Sequence, residues 1–214
     1  MDDNNSMKTG TTTVGIKCNE GIVLAADMRA TAGNLIVTRK AEKIHEISDN
    51  MAVTIAGTVS DAQLLIKLIK AEIALKRIRT GMLPGVKETS NLLAGMIYSN
   101  IRKFSVIPGV AHFILGGVDD TGLYIYDLFP DGSITLCDEY ISSGSGCVMA
   151  YGVLDTLYNK DMSLDDAKKL AIKAINAALQ RDTATGNGLT LFVISKDGVN
   201  KIMEKEIDVT IKEE

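Results

Sequence analysis

The sequence predicts an α+β domain in which two β-sheets pack face to face with helices outside both. Three observations lead there. The predicted elements run strands, two helices, strands, two helices, strands. A sheet can carry a helix pair on one apolar face only if its other apolar face is also covered, and a second sheet does this. No linker, low-complexity run or internal repeat divides the 214 residues, and prolines occur only at Pro84, Pro108 and Pro130. A doubly wound fold is excluded, because it would alternate single strands with single helices.

Taken in order, Thr12 to Lys17 and Gly21 to Ala26 are β-branched runs parted by a hairpin signal, Asn19-Glu20-Gly21. Leu35 to Thr38 and Lys43 to Ile47 read as a second, shorter strand pair, and Met51 to Ala56 as a fifth strand. Ser60-Asp61-Ala62-Gln63 reads as a capping box opening a helix with a buried stripe of Leu64, Leu65, Leu68, Ile69, Ala71 and Leu75, closed by Gly81. A second helix is expected from Val86 to Phe104, then strands over Ala111–Gly117, Leu123–Asp127 and Ser133–Asp138. Two helices follow over Cys147–Tyr158 and Ser163–Gln180. Strands over Leu189–Ile194 and Val199–Ile202 close the domain, leaving a charged tail from Lys205.

Composition excludes several functions. A net charge of −4 without a basic stripe argues against nucleic acid as a partner. No apolar stretch reaches membrane length, and the N-terminus lacks a secretory signal. Cys18, Cys137 and Cys147 are odd in number and lack zinc spacing, and only His45 and His112 could join them, so no metal is expected. They read as reduced core thiols of a cytoplasmic protein.

The chemistry is expected where a polar leader meets the first strand, at Gly10-Thr11. A threonine hydroxyl needs an adjacent base. Cleavage before Thr11 would supply one, its own α-amine, with an unperturbed pKa of about 7.7–8.0. Five further signals lie elsewhere: Asp27-Met28-Arg29 at a strand end; Lys43 entering a strand; Gly57 between a strand and a helix N-terminus, where a backbone N–H and the helix dipole suit an oxyanion; Ser143-Gly144-Ser145-Gly146 opening a helix; and Arg181-Asp182-Thr183-Ala184-Thr185-Gly186 closing one. Each has an ordinary structural explanation when taken alone. The Gly/Ser loop is no phosphate cradle, since no Lys follows at P-loop spacing.

Taken jointly, Gly10-Thr11-Thr12-Thr13-Val14-Gly15, Asp27-Met28-Arg29-Ala30-Thr31, Lys43, Thr54-Ile55-Ala56-Gly57 with Asp61-Ala62-Gln63, Gly144-Ser145-Gly146 with Tyr151-Gly152-Val153-Leu154, and Arg181-Asp182 with Gly186 resemble the archaeal type of proteasome β subunit over almost the whole chain. The resemblance implies the four-layer αββα sandwich of the N-terminal nucleophile hydrolases. It implies a leader, residues 1–10, removed by autocleavage between Gly10 and Thr11, one catalytic domain over residues 11–204 and a charged tail over 205–214. Thr11 would be the nucleophile of a threonine endopeptidase and its amine the base. Lys43 would lower the pKa of the Thr11 hydroxyl, and Asp27 would orient Lys43. Ser145 and Asp182 would fix the amine, and the Gly57 N–H would form the oxyanion hole. Thr185 stands where the family usually has serine, which places an extra methyl near the Thr11 amine. Thr31, Gly57 and Val59 would offer backbone groups to an extended peptide. Ala30, Ala41, His45, Ile55, Val59 and Gln63 would line an apolar primary pocket. No cofactor is implied. Implied partners are other β subunits in heptameric rings, α subunits, a regulatory ATPase acting through the α ring, and unfolded protein substrates. The competing expectation is a non-catalytic β subunit serving assembly only; relatives of that kind typically lose the nucleophile, the Lys or the Asp, and this chain has all three.

Overall fold

The computed structural model describes residues 10–106 and 108–208, so the expected leader, apart from Gly10, and the last residues of the tail lie outside the described residues. Strand β1 (Thr12–Lys17) is an interior strand of the first sheet. It lies antiparallel to β2 (Ile22–Asp27) on one side and β10 (Tyr140–Gly144) on the other, and β11 (Gly188–Ser195) and β12 (Gly198–Glu206) continue the order β10-β1-β2-β11-β12. The second sheet runs β5 (Ile44–Ser48), β6 (Met51–Gly57), β7 (Ala111–Asp119), β8 (Gly122–Leu128) and β9 (Ile134–Cys137) in chain order, an antiparallel meander.

Three apolar interfaces make the four layers. Val53, Phe113 and Leu115 of the second sheet meet Ile69 of α1 (Val59–Thr80) and Leu93 and Ile97 of α2 (Val86–Ile101). Leu24 and Phe192 of the first sheet meet Ile114 and Ile125 of the second. Val14, Ile16 and Leu191 meet Leu154 of α3 (Cys147–Leu157) and Leu170 and Ile175 of α4 (Leu164–Arg181). Strand side chains alternate between the helix side and the sheet side, so inner strands such as β1, β2, β6, β7 and β11 are buried on both faces. This is the α+β, αββα sandwich expected from the element order.

Several local expectations are corrected. Leu35–Thr38, here β4, does not pair with the Lys43–Ile47 run; it pairs with a short strand the sequence did not signal, β3 (Ala30–Ala32). β5 instead pairs with β6 through the tight Asp49-Asn50 connection, the shorter loop closure. The Ser60 capping box does not form: α1 begins at Val59, and Thr58 precedes it without a side-chain cap. The entry is fixed by the β6–β7 ladder, where Thr58 N–H donates to the Val110 carbonyl at 2.7 Å. Gly81 does close α1, with φ 72° and its N–H on the Arg77 carbonyl. α2 ends at Ile101 rather than Phe104. β10 was missed because Tyr140-Ile141-Ser142-Ser143-Gly144 has weak intrinsic β preference, and pairing with β1 decides it. β12 runs to Glu206, so Lys205 and Glu206 belong to a strand and not to the tail.

Candidate active site

The site forms at the start of β1. The Gly10 amide donates to Thr31 Oγ1 at 3.0 Å, and the Thr11 amide donates to Ser145 Oγ at 3.2 Å. A Cβ on Gly10 would stand 1.8 Å from Ala184 Cβ and 3.2 Å from Ser145 Oγ, so only glycine passes here. Thr11 is buried. With Gly10 joined to it, the Thr11 nitrogen is a peptide amide, a donor with no lone pair to take a proton.

Asp27 ends β2 with no exposed surface, and its carboxylate collects four donors. Oδ1 accepts from the Thr12 amide at 2.9 Å and Lys43 Nζ at 2.7 Å; Oδ2 accepts from the amides of Arg29 at 3.0 Å and Gly186 at 2.9 Å. This saturation offsets the desolvation of a fully buried charge. Lys43, 4% exposed, is delivered by the turn before β5. Burial pushes its ammonium below the ordinary 10.5, while the facing Asp27 carboxylate opposes that shift. The ion pair with Asp27 at 2.7 Å favours the charged lysine against that burial.

A second network closes the other side. Ser145 Oγ donates to Asp182 Oδ2 at 2.6 Å, and Thr185 Oγ1 donates to the same oxygen at 2.5 Å. Thr185 Oγ1 also lies 2.6 Å from Thr12 Oγ1, from which it accepts. Asp182 thus reaches Thr11 through Ser145. The Thr185 hydroxyl thus links Asp182 to Thr12. The loop after α4 that carries Asp182 and Thr185 is braced by Arg29, whose Nε donates to Asn187 Oδ1 and whose Nη1 donates to the Thr183 carbonyl, both at 2.8 Å. Sequence reasoning gave no role to Thr12 or Asn187. Asn187 has φ 65°, a left-handed conformation that Asn tolerates better than most residues.

Gly57 ends β6 with φ 103°, and a Cβ there would meet the Val110 carbonyl oxygen at 2.3 Å. The predicted pocket residues divide. Ile55 is packed into the core against α1; His45 is half-buried on β5, and burial lowers its pKa. Val59 and Gln63 stand exposed in the first turns of α1, and Ala30 is half-buried on β3. Ala41 borders a cavity of about 320 Å³ with Met28, Phe192 and Lys201, to which the other five do not contribute. The described residues therefore bring Thr11, Asp27, Lys43, Ser145, Asp182, Thr185 and Thr31 into one bonded network.

The profile of the family described as "Proteasome subunit" matches residues 7–194. The chain is 44% identical over 203 residues to "Proteasome subunit beta" of Methanobrevibacter ruminantium, covering 95% of this chain and 94% of that protein. It is 40% identical to that of Methanothermobacter thermautotrophicus, with 99% of each covered, and 42% identical to that of Ferroglobus placidus, with 95% of each covered. With the sandwich and the threonine network in place, these matches over nearly its full length make the chain a member of the proteasome family, of the archaeal β-subunit type.

Proposed function

We propose that this β subunit is a threonine endopeptidase that matures by removing its own leader. The observation that carries the reading is the line of hydrogen bonds from the Thr11 nitrogen through Ser145 to Asp182, while the next residue, Thr12, is tied to the Asp27–Lys43 pair.

In maturation, the Thr11 hydroxyl attacks the Gly10 carbonyl carbon. The C–N bond breaks, leaving the leader as an ester on Thr11 Oγ1 and freeing the Thr11 amine. Water then hydrolyses the ester, and the leader departs as a carboxylic acid. In turnover the free amine takes the hydroxyl proton, Oγ1 adds to the substrate carbonyl, and the amine returns the proton to the leaving amine. Lys43 stabilises the developing alkoxide, and the Gly57 N–H receives the oxyanion. Water completes the cycle through the acyl-enzyme. Substrates bind as an added extended strand along Thr31, Gly57 and Val59, so main-chain bonding accepts varied unfolded polypeptides.

Family membership supports assembly into rings with other proteasome subunits. On this reading, seven copies form each β ring, α rings gate the ends, and an ATPase feeds cytoplasmic substrates through them. Thr11→Ala is the test. We expect it to retain the leader, by intact mass of the assembled particle, and to lack peptidase activity. A wild-type particle without Thr11-dependent cleavage would instead support the assembly-only role.

A further inference from the structure

The apolar layer between the sheets stops short of the end where the site lies. Ile114 of β7, Ile125 of β8 and Ile141 of β10 belong to that layer. Two residues away on each strand, and so on the same face, stand His112, Asp127 and Ser143. They form one line: Ser143 Oγ lies 2.7 Å from His112 Nδ1, and His112 Nε2 lies 2.5 Å from Asp127 Oδ1. A carboxylate only accepts, so Nε2–H donates to Asp127, and in the neutral imidazole Nδ1 accepts from the Ser143 hydroxyl. Phe129 stacks on the ring, with centroids 4.8 Å apart. Asp127 and Ser143 are buried, at 5% and 3% exposure. Apolar residues would fill this space without the desolvation cost, so the trio calls for another reason.

Its two ends supply one. His112 pairs across from Ala56, and the neighbouring pair is Ala111 with Gly57. Ser143 pairs with Thr13 and leads into Gly144 and Ser145, whose side chain holds the Thr11 nitrogen. β10 is an edge strand, laddered on one side only, to β1. The His112–Ser143 bond therefore ties the sheet that carries Gly57 directly to the edge strand that leads into Ser145.

We propose that His112 is a positioning residue for the threonine site, fixing β10, and with it Ser145, against the Gly57 end of β6 through Ser143. This rests on the threonine endopeptidase reading above. The test compares wild type, His112→Leu, His112→Gln, Ser143→Ala and Thr11→Ala in particles assembled with an α subunit. Measured are kcat and KM on a fluorogenic peptide, leader removal by intact mass, and the thermal midpoint. We expect His112→Leu to lower kcat on the order of tenfold or more, with KM within about twofold, because small misplacement of reacting groups acts on rate. Glutamine can donate its amide N–H to Asp127 and accept from Ser143, so His112→Gln should recover most of the loss. Ser143→Ala, which removes the tie and keeps the ring, should lower kcat in the same direction. If the Leu variant does not assemble, the Gln and Ser143 variants decide. Wild-type kcat in Ser143→Ala, or losses that follow the thermal midpoint with no recovery in His112→Gln, would overturn the proposal. Absence of Thr11-dependent cleavage in the wild-type particle would instead remove the reading beneath it.

Discussion

Removing the Lys43 side chain does two separate things. It takes away the cation that the proposed mechanism uses at Thr11, and it leaves the fully buried Asp27 with three amide donors and no counter-ion. We expect Lys43→Ala to abolish most hydrolysis and also to lose about 3 kcal/mol of stability, the lower end for breaking a buried pair because the amides remain. Chemical denaturation and kcat on the same particle check both. Lys43→Arg should not restore turnover, since a planar fork cannot occupy the place of a compact ammonium. The pH profile follows from the same burial. Lys43 holds its proton less firmly than an ordinary lysine at 10.5, so its charge, and with it the rate, should be lost on the alkaline side below that value. Stability moves the other way: between the folded and unfolded pKa values the unfolded chain binds more protons, and stability rises with pH across that window. Gly10→Ala should slow leader removal, because the added methyl meets Ala184 Cβ. Intact mass over time checks it, and processing at the wild-type rate would mean that Ala184 yields freely.

Among the elements, the junction of β6 with α1 bears most on the site. Its geometry is set by Gly57 and the Val110 carbonyl and not by a helix cap. We expect Gly57→Ala to cost about 1–3 kcal/mol, from a side chain forced into positive φ, and to lower kcat by shifting the oxyanion donor. The thermal midpoint and kcat together test this, and an unchanged kcat would remove Gly57 from the oxyanion hole. The strand at the opposite wall, β10, shows why part of the site is illegible in the sequence. Ser143 and Gly144 carry no strand signal of their own, and only the ladder to β1 places them and the Ser145 that follows.

For the whole molecule, the question is what covers its apolar surface. Leu64, Leu68 and Leu92 line an open groove between α1 and α2, and Phe104 and Val106 beyond α2 are almost fully exposed. Val148 and Leu157 of α3 are exposed as well. Such patches on a proteasome family member fit burial against neighbouring subunits. We expect co-production with an α subunit to give a particle of several hundred kilodaltons with peptidase activity that prefers peptides ending in Leu, Phe or Tyr. The β chain alone should be unprocessed and inactive. Full activity in a monodisperse monomer, by analytical ultracentrifugation, would contradict this.

The sequence by itself determined the layered architecture, because element order and two-sided apolar strands leave few ways to cover every face. It also carried the residues of the bonded network, but only jointly: Asp27, Lys43, Ser145 and Asp182 each have an ordinary structural explanation alone, and the resemblance of their motifs to the proteasome β subunits singles them out with Thr11. Only the tertiary structure decided what those residues touch. That Thr185 serves Thr12, that Gly10 is required by Ala184 from across the fold, and that His112 reaches Ser143 between the sheets are contacts across 173, 174 and 31 positions of chain. No local pattern encodes such contacts, because they arise where separate strands are brought to the same end of the sandwich.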